Sequence, residues 1–128
     1  MTDFPAPASP LPALLDAVEL YFQALHECDL AKFDRVFHPA SSLFDSLDGR
    51  ITPMPIADYR AVIAQRRPPA AAGQPREDAL LALDLLSTEA AVAKVRLRIH
   101  EHVFVDHLVL MRQGGRFVIT AKAWHEES

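Results

Sequence analysis

Apolar and polar side chains alternate along residues 91–100. The apolar positions are Ala91, Ala93, Val95, Leu97 and Ile99. Between them stand the polar residues Lys94, Arg96, Arg98 and His100. Because successive side chains of a strand point to opposite faces, this period of two indicates a β-strand with one buried face and one wetter face. The segment therefore predicts a sheet with one side in the protein core.

The segments on either side of this strand, residues 79–86 and 103–111, are apolar on both faces. Such segments suit central strands that are covered by helices on one side and by a partner subunit on the other. Gly114 and Gly115 predict the turn into a last strand over residues 116–125. The second half of the chain is therefore expected to form a meander of long antiparallel strands.

The first half of the chain predicts three helices. Apolar residues recur at helical spacing over residues 14–25, which indicates the first helix. A second helix is expected over residues 30–37, with Asp29 as its N-cap. A third is expected over residues 56–66, because two prolines follow and prevent it from continuing.

A small β-hairpin is expected between the second and third helices. Residues 41–47 predict its first strand, and residues 50–52 predict a short returning strand. Asp48 and Gly49 between them are a typical two-residue turn.

The length of the chain bounds its domain organisation. A chain of 128 residues can bury one hydrophobic core but not two. Half of the residues are hydrophobic and 23% are charged, which is typical of soluble globular proteins. Pro5, Pro7 and Pro10 fix the backbone of the opening segment, so residues 1–11 are expected to be a flexible arm. Residues 12–128 are then expected to form a single domain.

Charge and composition exclude several classes of partner. The net charge is -4 and the basic residues are scattered, so no basic stripe is available for phosphates and nucleic acid is not an expected partner. No segment reaches the roughly 18 apolar residues of a spanning helix, and the first residues lack the features of a signal peptide, so no membrane partner is expected. The single cysteine, Cys28, cannot form an internal disulfide. Together these features predict a cytoplasmic protein.

The order of elements and two sequence strings resemble a known superfamily. The strings are FHPASSLFDSLDG, residues 37–49, and FVDHLVLMRQGGRFVITAKAW, residues 104–124. With the order helix, helix, hairpin, helix and strand meander, they resemble the lumazine-binding-like and SnoaL-like branch of the nuclear transport factor 2-like superfamily. The resemblance implies an α+β fold, in which a cone-shaped, curved antiparallel sheet packs on three N-terminal helices and encloses a pocket.

Three residues are similar to the catalytic set of the ketosteroid isomerase branch of that superfamily. Tyr21 opens the string YFQALHECDL, which has the form of that branch's first helix. Asp45 follows Phe37 at the corresponding distance, and Asp106 precedes the final hairpin and Trp124. The resemblance implies that Asp45 is the catalytic base and that Tyr21 and a protonated Asp106 donate hydrogen bonds to an oxyanion.

The same three residues also allow a purely structural interpretation. Strand alternation places Asp106 on one face with Phe104 and Leu108, where a carboxyl group must be paired or neutral. An apolar pocket raises carboxyl pKa values, which would suit acid-base catalysis. In the structural alternative, Asp106 holds a backbone amide or an arginine, Tyr21 caps the core, and Asp45 lies in water near the pocket mouth.

Aromatic residues and one histidine are expected to complete the pocket wall. The residues assigned to it are Phe22, Phe37, His38, Tyr59 and Trp124. The alternative for His38 is a cation at the end of the second helix, where it would suit the helix dipole.

Other charged residues are assigned no site. His100 and His102 flank Glu101, with His107 nearby, but their spacing is not that of a metal motif, so neither a metal nor another cofactor is expected. Arg66, with the arginine that follows it, closes the third helix, where cations suit the helix dipole, and this interpretation is favoured over an anion site.

These features define two candidate functions. The first is a homodimer that binds a small apolar organic ligand, with cofactor-free acid-base chemistry of isomerase, cyclase or dehydratase type. The alternative is a non-catalytic ligand-binding or dimerisation module in which the same residues are structural. The homodimer is expected to form through the open face of the sheet, where Val105, Val109 and Met111 would otherwise expose an apolar patch.

Overall fold

The computed structural model describes residues 9–127, which form three helices and six strands. The helices are α1 (Leu11–Glu27), α2 (Leu30–Val36) and α3 (Ile56–Gln65). The strands are β1 (Phe37–Leu47), β2 (Arg50–Pro55), β3 (Asp78–Leu85), β4 (Ala90–Ile99), β5 (His102–Gln113) and β6 (Arg116–Glu126). The predicted arm falls mostly outside the described residues, and its last residue, Leu11, already belongs to α1.

All six strands form one sheet in the order β2-β1-β6-β5-β4-β3. The strands β1 and β6 run parallel, and the other neighbours are antiparallel. The sheet is therefore mixed and is not closed into a barrel. The predicted α+β fold of three helices packed on a sheet is confirmed, with the single difference that the sheet is not antiparallel throughout.

Local backbone signals set the ends of the helices. The helix α1 is closed by Cys28, whose left-handed backbone, at φ 48°, lets its N–H donate to the Ala24 carbonyl. Asp29 caps α2 as predicted, because its carboxylate accepts a hydrogen bond of 3.1 Å from the Lys32 N–H. The helix α3 ends one residue earlier than predicted, because Arg66 has an extended backbone.

The hairpin β1-β2 turns where the sequence predicts. Asp48 and Gly49 both have positive φ, at 52° and 75°, as a two-residue hairpin turn requires. The strands on both sides are longer than expected. The strand β1 begins directly after α2, at Phe37, and β2 continues to Pro55, directly before α3. The strand β1 pairs with β6 at Phe37 and again over residues 42–44, next to the site described below.

The inner face of the sheet is the core face. Along β4, buried and exposed side chains alternate from Ala91 to Ile99, as the sequence pattern predicts. Along β5, Asp106, Leu108 and Leu110 are buried, whereas His107 and Met111 are exposed. The helices cover this inner face with the side chains of a buried cluster whose largest members are Tyr21, Phe33 and Leu14.

The prediction that residues 79–86 form a central strand is wrong. They form β3, which lies at the edge of the sheet and pairs only with β4. Leu81 and Leu85 are 49% and 47% exposed, and a bulge interrupts the pairing beside Leu81. An apolar composition on both faces indicates burial by some neighbour, but it does not say whether that neighbour belongs to the same chain.

Within residues 9–127, no helix is both long enough and apolar enough to cross a membrane.

Candidate functional site

A cavity of about 170 Å³ lies between the helices and the inner face of the sheet. Most of its wall is apolar, and its apolar lining residues are Leu25, Leu43, Met54, Val62, Leu97, Ile99, Phe104 and Trp124. Its polar lining residues are Tyr59, Arg66, Asp106 and Lys122. Asp106 and Lys122 are buried, while Val62 is 42% exposed. The cavity therefore has a charged floor on the sheet and a mouth beside α3.

The floor is a buried hydrogen-bonded cluster of four side chains. The Tyr21 hydroxyl donates to Asp106 Oδ2 over 2.5 Å. The Lys122 ammonium lies 3.7 Å from the same carboxylate oxygen and donates to the Tyr59 hydroxyl over 3.2 Å. The same ammonium lies 4.6 Å from the centre of the Tyr59 ring.

Strand register explains why these groups meet. Asp106 on β5 is paired with Trp124 on β6, and Lys122 on β6 is paired with Leu108. Residues two apart on neighbouring strands share a face, so Asp106 and Lys122 are diagonal neighbours on the inner side. The helix α1 packs against this side and brings Tyr21 above them.

Burial and charge shift the pKa values of the cluster. Burial opposes the charged form of Lys122, but the Asp106 carboxylate and the Tyr59 hydroxyl outweigh it, so the pKa of Lys122 is raised. Burial, followed by the charge of Asp106, raises the pKa of Tyr21 well above its usual value, and the positive charge of Arg66 acts in the opposite direction. At neutral pH, Tyr21 is therefore a neutral donor and Lys122 is a cation.

Two polar groups of the floor have unused hydrogen-bonding capacity. Asp106 Oδ1 is buried and has no hydrogen-bond partner among residues 9–127. The Tyr59 hydroxyl accepts from Lys122, and among the described side chains it has no acceptor of its own. A buried acceptor without a donor costs about 1–3 kcal/mol, so a bound molecule that supplies a donor would gain affinity here.

The structure brings two of the three predicted catalytic residues together and leaves the third apart. Tyr21 and Asp106 are in contact, but the Tyr21 hydroxyl donates to Asp106, whereas the resemblance implies that both donate to one oxyanion. Asp45 pairs with Thr52 on β2 and is half-buried. By alternation its side chain is on the same face of β1 as Leu43. Leu43 lines the cavity, but Asp45, two residues further along the strand, is not among the lining residues.

The predicted pocket wall is divided in the same way. Tyr59 and Trp124 line the cavity, whereas its described lining includes neither Phe22 nor Phe37. Phe37 packs edge-on against Tyr21 in the core behind the floor, with ring centres 5.9 Å apart. His38 also lies outside the lining: its Nδ1 accepts a hydrogen bond from the Ala40 N–H in its own turn.

The predicted pocket wall does not include two charged residues of the lining, Lys122 and Arg66, and the sequence analysis assigns Arg66 to the end of α3 instead. The signal for Lys122 is present, because the alternation that turns Trp124 inward also turns Lys122 inward. The signal for Arg66 is weaker, since its position depends on the residue at which α3 ends. The sequence places it in the last turn of the helix, but the structure places it in extended backbone beside the mouth.

The histidines make other contacts. His100 Nε2 lies 2.8 Å from the Arg67 carbonyl oxygen, and His102 Nδ1 lies 3.0 Å from a Glu126 carboxylate oxygen. Across residues 9–127, no group of three or more potential ligands is arranged to hold a metal ion. That the protein uses no metal stays a prediction.

Solved structures define the class of fold. An NTF2-like protein of unknown function from Shewanella baltica OS155 is 20% identical over 92% of this chain and 94% of its own, with a TM-score of 0.80. A second, from Silicibacter pomeroyi DSS-3, is 19% identical over 91% and 95%, with a TM-score of 0.77. A ketosteroid isomerase-like protein from Erwinia carotovora atroseptica SCRI1043 is 10% identical over 95% and 99%, with a TM-score of 0.70. The chain therefore has the nuclear transport factor 2-like fold.

The sequence narrows this class further. The chain belongs to the family described as "Putative lumazine-binding", whose model matches residues 9–125. No curated protein matches the sequence significantly. The predicted superfamily and its lumazine-binding-like branch are thus confirmed.

Proposed function

We propose that this protein binds a small, largely apolar organic molecule in the cavity between the helices and the sheet. The observation that carries the proposal is the buried pair of Asp106 and Lys122 at the floor of an otherwise apolar cavity. A buried ion pair seldom stabilises a fold more than apolar residues of similar volume would. Ionised groups of this kind cluster at binding and catalytic sites, which supports a function for the pair.

The volume of the cavity limits the size of the ligand. At about 170 Å³ it is close to the engineered protein cavity of about 150 Å³ that takes up benzene. A molecule with one ring, or a branched aliphatic of similar size, is therefore the best fit. The family description names lumazine, whose two fused rings make it larger than this best fit.

The polar floor sets the orientation of the ligand. Asp106 Oδ1 needs a donor, so an O–H or N–H group of the ligand is expected there. Lys122 and the Tyr59 hydroxyl offer donors beside it. A ligand with its polar end on the sheet and its apolar body against Leu97 and Trp124 satisfies both kinds of surface.

Val62→Trp is expected to weaken the binding of phenol at least about tenfold, because the indole would fill the mouth of the cavity. The control is Ala64→Trp, which adds the same side chain to another face of α3. Titration of the ¹⁵N-labelled protein with phenol, followed by amide chemical shifts, measures both affinities. In the wild-type protein, the shifts should concentrate on residues that line the cavity.

A wild-type protein whose amide shifts do not respond to phenol, benzyl alcohol or lumazine would contradict the ligand-binding proposal. Equal weakening by the two tryptophan variants would also contradict it, because that result would place the binding elsewhere.

A second candidate function is proton transfer on the bound ligand, and the unpaired Asp106 Oδ1 favours it. In this scheme Oδ1 removes a proton from the carbon next to a ligand carbonyl, and the electron pair moves to the carbonyl oxygen. Lys122 and the Tyr59 hydroxyl donate hydrogen bonds to the oxyanion that forms. The base is thus Asp106, whereas the ketosteroid isomerase resemblance implies Asp45.

The two carboxylates are distinguished by exchange of ligand protons with solvent deuterium. We expect the protein to accelerate exchange at the α-carbons of cyclohexanone in D₂O, and Asp106→Asn to lower this rate about 100-fold or more. Asp45→Asn is expected to leave the rate unchanged, and proton NMR follows both. If Asp45→Asn lowers the rate instead, Asp45 is the base. If the wild-type protein gives no acceleration, the site is a binding site without this chemistry.

The open face of the sheet supports the further proposal of a homodimer. On this face Val109 lies between Val92 on β4 and Ala121 on β6, and Met111 is 47% exposed. An apolar patch of this kind normally marks an interface, and a twofold axis through it would cover both copies at once. The location of the protein in the cytoplasm stays a prediction.

A further inference from the structure

We propose, building on the ligand-binding function above, that the cavity selects small apolar acids and that Arg66 binds their carboxylate. The acid group would lie at the mouth, and the largely apolar remainder of the molecule, with any O–H or N–H donor for Asp106 Oδ1 at its inner end, would fill the cavity behind it. The ligand class is therefore a carboxylate of about one ring in size.

Arg66 is held at the mouth by the end of α3. Its backbone is extended, with ψ 136°, while its N–H still donates to the Ile63 and Val62 carbonyls. This geometry ties the residue to the helix while its half-buried side chain lines the cavity. The positive charge of Arg66 acts to lower the pKa of Tyr21, but burial and the charge of Asp106 raise this pKa by more.

The charges in the lining do not balance. Lys122 and Arg66 are cations, and Asp106 is the single carboxylate among the described lining residues. Asp106 lies 3.7 Å from Lys122, so the positive charge that remains is that of Arg66.

Several arginines elsewhere in the protein have their charge paired in salt bridges. Arg60 pairs with Asp34, and Arg76 pairs with Glu19 and Asp78. Within residues 9–127, no salt bridge involves Arg66, and among the arginines without a salt bridge it alone lines this cavity. Its charge is therefore available to a bound anion.

The mouth is also the better end of the cavity for an anion. At the floor, a ligand carboxylate would approach the Asp106 carboxylate, which repels it. At the mouth, it would keep part of its hydration and meet a planar guanidinium, which can hold both carboxylate oxygens. The apolar wall then receives the part of the molecule that gains most from leaving water.

The test compares benzoate with benzamide, which has nearly the same shape but no charge. By isothermal titration calorimetry or NMR titration at pH 7, we expect benzoate to bind the wild-type protein about tenfold to a hundredfold more tightly than benzamide. Arg66→Gln should remove this preference and leave the affinity for benzamide within about twofold. The control is Arg67→Gln, because Arg67 is the exposed neighbour and does not line the cavity. It should retain the preference.

Each other outcome overturns a defined part of the argument. If benzamide binds as tightly as benzoate, or if only phenol binds, selection of acids is wrong while ligand binding in the cavity stands. If the two arginine variants lose the preference equally, Arg66 is not the anchor. If none of the three molecules binds the wild-type protein, the ligand-binding function itself fails.

Discussion

Replacing Lys122 with methionine is expected to lower the free energy of unfolding by about 3–5 kcal/mol. The substitution keeps the volume of the side chain but leaves the Asp106 carboxylate, which is 1% exposed, without a cation. A domain of this size is usually stable by about 5–15 kcal/mol, so the loss is a large fraction of the total. Urea unfolding followed by circular dichroism measures it.

A triple variant controls for the loss of packing. Tyr21→Phe, Asp106→Leu and Lys122→Met together replace the charged and hydrogen-bonded groups with apolar groups of similar size. Because no buried charge is then left alone, the triple variant should recover most of the stability and come within about 1 kcal/mol of the wild-type protein. It should also lose the binding of phenol. A single Lys122→Met variant as stable as the wild-type protein would contradict the pairing of Lys122 with Asp106.

Val109→Glu is expected to raise the dissociation constant of the proposed homodimer about 100-fold or more. Val109 lies on β5, at the centre of the open face, between Val92 and Ala121. If this face is the interface, the substitution buries two carboxylates at the interface, one from each copy, without cations to pair with them. The cost of several kcal/mol corresponds to this change in the dissociation constant.

Size-exclusion chromatography with light scattering, from 1 μM to about 100 μM protein, measures the mass of wild-type and variant proteins. Ala64→Glu on α3 adds the same charge away from the sheet and should stay dimeric. A wild-type protein that is monomeric over this range would contradict the dimer. A Val109→Glu variant that remains dimeric would place the interface on another surface.

Much of the fold follows from the sequence because its signals are local. The alternation over residues 91–99, the cap at Asp29 and the turn at Asp48 and Gly49 each depend on a few neighbouring side chains. Position in the sheet is not a local property. The place of a strand depends on how many other strands pair with it. A composition that is apolar on both faces does not show that residues 79–86 pair with one strand only.

The site was predictable in part for the same reason. Alternation places Asp106 on the inner face of the sheet, and the string around Tyr21 places that hydroxyl on the first helix. Once the fold packs this helix on the inner face, the two side chains can meet. The sequence alone does not predict the cation beside Asp106, because a lysine on a strand is usually exposed, although the alternation that turns Trp124 inward also turns Lys122 inward. The position of Arg66 at the cavity does not follow from the sequence, because α3 ends one residue earlier than predicted. A difference of one residue is within the usual uncertainty of a helix boundary.

The position of β6 has a consequence for how the chain acquires its function during synthesis. Of the six described strands this one is synthesised last, yet it lies in the interior of the sheet, between β1 and β5. Before it emerges from the ribosome, β2-β1 and β5-β4-β3 have no hydrogen bonds to each other, and Lys122 has not yet reached Asp106. Partly made chains would therefore carry two unpaired strand edges and a floor without its cation, a state open to aggregation and to rescue by chaperones.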